Sequence, residues 1–130
     1  MVRIEHIALW VDDLAALSAF YARTFGAQVG PRYVNAAKGF ESCFLVFDSG
    51  ARMELMTTSR LSPARHAAGV ERMGLTHVAI SLGSEQAVDE LTARLRREGV
   101  AVLDGPRRTG DGYYESVVLD PEGNRIEITA

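Results

Sequence analysis

Phe47-Asp48-Ser49-Gly50-Ala51-Arg52-Met53-Glu54-Leu55 returns near the C-terminus as Leu119-Asp120-Pro121-Glu122-Gly123-Asn124-Arg125-Ile126-Glu127-Ile128. The shared core is Gly, any residue, Arg, apolar, Glu, apolar. Upstream, Ile4-Glu5-His6-Ile7-Ala8-Leu9-Trp10 returns as Leu75-Thr76-His77-Val78-Ala79-Ile80-Ser81. One half of the chain therefore carries His6 and Glu54, and the other carries His77 and Glu127. His77 follows His6 by 71 residues and Glu127 follows Glu54 by 73, so the two pairs keep nearly the same spacing. A repeat with one His and one Glu per copy is how a symmetric site of two imidazoles and two carboxylates would be encoded.

Each copy reads in the same order. Ile4 to Val11 is strand-like. Asp12 or Asp13 can cap a helix on which Leu14, Leu17, Phe20, Tyr21 and Phe25 fall at helical spacing until Gly26 stops it. Strands are predicted over Val29 to Tyr33, Ser42 to Phe47 and Arg52 to Thr57, with a turn at Asp48-Ser49-Gly50. The second copy gives a strand over Thr76 to Leu82 and a helix over Glu85 to Glu98, with Val88, Leu91 and Leu95 inward and Gly99 as its stop. Strands over Val100 to Leu103, Tyr113 to Leu119 and Arg125 to Thr129 complete it, the last two joined by the Asp120-Pro121-Glu122-Gly123 turn. The pattern predicts an α+β fold of paired β-α-β-β-β modules, about 1–58 and 75–130, in a single domain. Residues 59–74 form the connection, with Ser62 as cap and Pro63 at the first position of a helix that carries an exposed His66.

Side chains alternate faces along a strand, so parity assigns each residue a side. His6, Ala8 and Trp10 share one face and Ile7, Leu9 and Val11 the other. His77, Ala79 and Ser81 oppose Val78, Ile80 and Leu82. Arg52, Glu54 and Met56 oppose Met53 and Leu55, and Arg125, Glu127 and Thr129 oppose Ile126 and Ile128. In all four strands the fully apolar face is the one without the His or Glu. That face is expected to pack on the helices, and the other to line a concave cup made by the curved mixed sheets.

Length and composition bound the function. At 130 residues the chain can bury a core without staples, and its 47% hydrophobic and 24% charged residues are ordinary for a soluble globular protein. With 14 Lys and Arg against 17 Asp and Glu, the net charge is −3 and no basic run occurs, which argues against nucleic acid as a partner. The N-terminus shows no basic region followed by an apolar one, and no apolar stretch is long enough to span a membrane. A single cysteine, Cys43, reads as a buried apolar thiol and fits a reducing compartment. The expectation is a cytoplasmic protein without membrane contact.

Neutral imidazole and carboxylate oxygen suit borderline divalent ions. Four protein ligands leave one or two positions open on a five- or six-coordinate ion, as a catalytic metal needs. Zinc and nickel fit this set first, with cobalt, iron and manganese as alternatives, one ion per site.

The paired modules, the four His and Glu positions and the closing Asp120-Pro121-Glu122-Gly123-Asn124-Arg125-Ile126-Glu127 resemble the vicinal oxygen chelate superfamily over essentially the whole chain. Within it the set is most similar to glyoxalase I-like members, whose bacterial forms hold metal with a His-Glu-His-Glu set. Carried over, these ligands are His6, Glu54, His77 and Glu127. The resemblance implies a homodimer, with the site either within one chain or across the dimer. It implies a metal-dependent lyase or isomerase acting on a small carbonyl compound or its thiol adduct, with proton abstraction and a stabilised enediolate. Glu127 is then the first choice of base and Glu54 the second. Alternatives within the superfamily are a drug-sequestering protein without catalysis and a dioxygenase. One departure concerns glutathione: where glyoxalase I commonly places an arginine four residues after the first ligand, this chain has Trp10, which reads as an apolar wall or a packing residue. Arg52 and Arg125, on the faces of the glutamates, are candidates to orient them or to contact substrate. Arg107 and Arg108 read as a solvated loop, and Tyr113 or Tyr114 as a rim residue.

Overall fold

His6–Trp10 (β1) leads into Asp13, whose side chain accepts a hydrogen bond from Ala16 N at 2.9 Å and so caps Leu14–Phe25 (α1). Gly26 ends that helix with φ of +69°, a left-handed conformation that costs glycine little, while its N–H closes back on Ala22 O. Gln28–Val29 (β2), Tyr33–Asn35 (β3), one 3₁₀ turn over Ala36–Lys38, Phe40–Val46 (β4) and Arg52–Thr58 (β5) follow. The second half runs Val78–Ser81 (β6), Glu85–Arg97 (α2), Val102–Arg108 (β7), Tyr114–Leu119 (β8) and Arg125–Thr129 (β9). The computed structural model describes residues 1–62 and 70–130. The helix expected from Pro63, and His66 with it, lies outside the described residues.

The chain divides into two compact units, Met1–Ala64 and Arg65–Ala130. Each holds one mixed sheet and one long helix, the α+β arrangement that the sequence predicts. In the first, the strand order is β1-β5-β4-β2, with β3 also on β4; β1 and β5 are parallel and the remaining pairs antiparallel. In the second, the order is β6-β9-β8-β7, with β6 and β9 parallel.

Parity sorts the faces as the sequence requires. Cys43, Leu45, Met53 and Leu55 are buried with Leu14, Leu17, Phe20 and Tyr21 of α1, and Ser18 Oγ lies 3.2 Å from Cys43 Sγ across that contact. In the second unit Val118, Ile126 and Ile128 are buried with Val88, Leu91 and Leu95 of α2. There Thr92 Oγ1 meets Ser116 Oγ at 2.7 Å and also bonds Val88 O, so the two buried hydroxyls are satisfied. Ser84 caps α2 by accepting from Ala87 N at 3.2 Å.

Two strand predictions need correction. The single strand expected over Val29 to Tyr33 is two short ones, because Pro31 has no N–H to give the ladder; Gly30 N still bonds Phe44 O at 2.8 Å, and pairing with β4 resumes at Tyr33. The strand expected to end at Leu103 continues to Arg108, its register against β8 shifting twice on the way. The edge position of β7 tolerates Pro106 in that stretch.

The turn between β8 and β9 is held by Asp120. Its Oδ1 accepts from Glu122 N and Asn124 N, both at 2.9 Å, and its Oδ2 from Asn124 Nδ2 at 2.8 Å. This sets Val117 opposite Glu127. Among the described residues no helix is long and apolar enough to cross a membrane.

The two faces of β4 should respond differently to truncation. Leu45→Ala, at a fully buried position, is expected to lower stability by about 2–5 kcal/mol in urea unfolding. Val46→Ala, next along the strand and exposed, should stay within about 0.5 kcal/mol of the parent.

Candidate functional site

The parallel pairing of first and last strand brings one His beside one Glu in each unit. In the first, His6 stands opposite Arg52 and Ala8 opposite Glu54, all on the face turned away from α1. His6 Nε2 is 3.8 Å from Glu54 Oε2. In the second, Ala79 stands opposite Glu127, His77 directly precedes β6, and His77 Nε2 is 3.1 Å from Glu127 Oε2. In both units the small side chain across from the glutamate, Ala8 or Ala79, is exposed.

The 3.1 Å between His77 and Glu127 is the spacing of donors that share an ion, whereas the 3.8 Å between His6 and Glu54 is wider. Two atoms each about 2.1 Å from one metal stand roughly 3.0 Å apart at a right angle and roughly 3.4 Å apart at the tetrahedral angle. The donors are also of the kind that borderline divalent ions prefer. Each unit supplies two of them. Among the described residues, no group of three or more His, Cys, Asp and Glu side chains is placed to hold an ion.

The surroundings of the two pairs differ. Glu5 Oε2 accepts a hydrogen bond from His6 Nδ1, while Glu5 Oε1 accepts from Arg52 Nη2 and, at 2.9 Å, from Arg52 Nε. The His6 and Arg52 partners hold the Glu5 carboxyl below the usual carboxylate range. Phe44 closes the group: its ring meets His6 edge-on at 5.5 Å, and the Arg52 guanidinium lies 4.0 Å from its centroid. Arg52 thus serves Glu5 and the Phe44 ring. In the second unit Thr76 occupies the place of Glu5. There the Glu127 carboxyl is pushed up, first by burial and then by a hydrogen bond that its protonated form donates to the neighbouring Glu115, with His77 acting in the opposite direction. Glu115 is itself buried and lies 3.5 Å from Arg107.

Other candidates find different partners. Arg107 is fixed by Asp104 Oδ2 at 2.7 Å and Arg108 donates to Glu85 and Gly112 O; both are exposed, and they lie in β7 and not in a loop. Tyr114 turns to α2, its hydroxyl 2.6 Å from Asp89 Oδ1; Tyr113 is exposed. Trp10, 52% exposed on the His6 face, meets Phe40 edge-on at 6.3 Å, and Phe40 meets Tyr33 at 6.1 Å. A cavity of about 400 Å³ lies at that end of β4 and β5, lined by Phe40, Asn35, Thr58 and their neighbours, and it includes neither His6 nor Glu54.

Glu5, Phe44 and Glu115 escaped the reading of the sequence. Alternation along the expected strand from Ile4 puts Glu5 on the side of Ile7, but β1 begins only at His6 and Glu5 lies before it. Glu115 was within reach: the Asp120 turn fixes a hairpin register that sets it two residues from the partner of Glu127.

The sequence model of the Glyoxalase/Bleomycin resistance protein/Dioxygenase superfamily matches residues 3–128. The chain belongs to this superfamily. Solved structures of the glyoxalase fold agree. A trypanothione-dependent glyoxalase I of Leishmania major superposes with a TM-score of 0.76 at 24% identity, over 99% of this chain and 86% of that one. A glyoxylase/bleomycin resistance protein/dioxygenase domain from Frankia sp. EAN1pec gives 0.82 at 19% identity, over 99% and 97%. Glyoxalase I of Zea mays gives 0.76 at 21% identity, over 98% of this chain but 44% of that longer one. At these identities the shared property is the fold. No protein of curated function matches significantly.

The upward shift at Glu127 has a consequence for this superfamily member without metal. A carboxyl whose pKa is higher in the fold than in the unfolded chain withdraws stability as pH rises through that interval. Glu127→Gln should therefore raise the thermal midpoint of the metal-free protein near pH 7. The gain should vanish below the carboxylate range, as read by thermal scans across pH.

Proposed function

We propose that this chain is a cytoplasmic, metal-dependent lyase or isomerase of the glyoxalase I type, acting on a small carbonyl compound or its thiol adduct. The observation that carries the proposal is the repeated His–Glu pair: His6 with Glu54 and His77 with Glu127, on equivalent strands, each pair with facing N and O donors. His6, Glu54, His77 and Glu127 would together hold one divalent ion, zinc or nickel before cobalt, iron or manganese. When bound, the ion supplies Lewis-acid stabilisation of the negative charge that develops on the substrate's two adjacent oxygens.

The residues of the chain do the rest. His6 and His77 present neutral imidazole nitrogen and keep the site open to a bidentate oxygen ligand. Glu127 takes the proton from the carbon beside the carbonyl and returns it to the neighbouring carbon; burial pushes its carboxyl up, as suits a general base. Glu54 holds its position as a ligand. The active species in this reading is a homodimer, with a sedimentation mass of twice the chain.

A second reading is favoured by one observation. Trp10, Phe40 and Tyr33 offer an aromatic surface on the His6 face, without the arginine that would meet a glutathione carboxylate. Such a surface suits sequestration of an apolar ligand without turnover.

Elemental analysis of the purified protein beside His77→Ala separates the two. The expected result is near-stoichiometric metal in the parent, lost in the variant; no metal even after reconstitution would leave the binding protein as the better account. In the loaded enzyme, turnover of the hemithioacetal of methylglyoxal with glutathione or with a smaller thiol provides the assay. Glu127→Gln should cut kcat by about 10²–10⁴-fold with metal retained. Unchanged turnover would remove Glu127 from the role of base.

A further inference from the structure

We infer that Glu5 is a positioning residue that fixes the ring of His6, so that Nδ1 carries the proton and Nε2 is left as the metal-binding atom. The inference rests on the metal-centre reading above. A carboxylate oxygen can only accept, so the contact between Glu5 Oε2 and His6 Nδ1 requires the proton on Nδ1. In the neutral ring Nε2, the atom that faces Glu54 Oε2 at 3.8 Å, then keeps its lone pair. A carboxylate behind a ligating imidazole sets tautomer and orientation and raises ligand basicity.

An exposed ion pair is usually a loose contact of small worth. Three features set this one apart. Both oxygens of Glu5 are committed, Oε2 to His6 and Oε1 to two nitrogens of Arg52. The Arg52 guanidinium is in turn seated on Phe44, the ring that flanks His6. The backbones are tied as well, since Arg52 N donates to Glu5 O at 3.0 Å and Arg52 is the strand partner of His6. Phe44, Arg52, Glu5 and His6 therefore form one connected group on the polar face of the first sheet.

Among the described residues the second unit shows no such device. Thr76 stands before His77, and the carboxylate nearest the second pair, Glu115, acts on Glu127 instead. The two His–Glu pairs are alike in their ligands and unlike in their support, so Glu5 acts on one half only.

The test uses the full chain with Zn²⁺ as the probe. Three variants are compared with the parent: Glu5→Ala, Glu5→Gln, which keeps a carbonyl acceptor, and Thr76→Ala as the matched control. Competition against a chromophoric chelator should show Zn²⁺ affinity falling about 10–100-fold in Glu5→Ala. Glu5→Gln should recover part of the loss, and Thr76→Ala should bind as the parent does. Thermal midpoints of the metal-free forms should be nearly equal, because Glu5 is a surface group whose proposed effect is on the ligand atom. Parent-like affinity in Glu5→Ala would overturn the inference.

A second readout needs no metal. Long-range ¹H–¹⁵N spectra of the metal-free protein above the imidazole pKa should show His6 protonated at Nδ1 in the parent. In Glu5→Ala it should revert to the Nε2–H form that free imidazole side chains favour. Nε2–H in both would overturn the inference. A parent that takes up no Zn²⁺ would instead sink the metal-centre reading, while these spectra still decide whether Glu5 sets the tautomer of His6.

Discussion

The parallel pairing of the first strand of each unit with its last is the constraint on which the rest of the structure depends. An adjacent pair of parallel strands needs a long crossover between them, and here α1 or α2 and the intervening strands supply it. The pairing places residues that are about fifty apart in sequence on neighbouring strands, with His6 and Glu54 on one face and Ile7 and Met53 on the other. Because the side-chain period is two, a slip by one residue would send Glu54 into the apolar layer and Met53 into water. Full burial of Met53, Leu55, Ile126 and Ile128 therefore enforces the polar face indirectly. Hydrophobic burial holds the register, and the register holds the donors.

The two halves then diverge in what surrounds the donors. Around His6 the neighbours are a clamped carboxylate, a guanidinium and an aromatic ring, all of which restrict motion. Around Glu127 they are a buried carboxylate and a nearby arginine, which alter proton affinity. A duplicated chain freed from exact symmetry can assign holding to one copy and proton handling to the other. The proposed mechanism uses this division, with the base, Glu127, in the second unit.

Much of the architecture was legible because alternation and repetition are local properties. Parity alone separated Glu54 from Met53 and Glu127 from Ile126, and the cap of α1, Asp13, is one of the two positions that the sequence offers. What escaped needed knowledge of a partner strand. Pro31 interrupts the edge because β4 would demand its missing N–H. Arg107 and Arg108 join β7 because β8 runs alongside, which no composition of that stretch announces. Glu5 became visible only once its neighbours were fixed, whereas the Asp120 hairpin register already led to Glu115. The four His and Glu positions were found by repetition, whereas the groups that tune them differ between copies and so left no repeated trace.

Ala8 and Ala79 stand across from the two glutamates and are exposed, while the core lies on the opposite face of each sheet. The proposed chemistry thus falls on a layer that lies apart from the buried core of each sheet. A single change from alanine to a bulky residue there would fill the space beside a donor without disturbing a buried contact. Descent from such a chain can gain or lose a metal in one step while the scaffold persists, which is a physical route by which one fold comes to serve both catalysts and carriers.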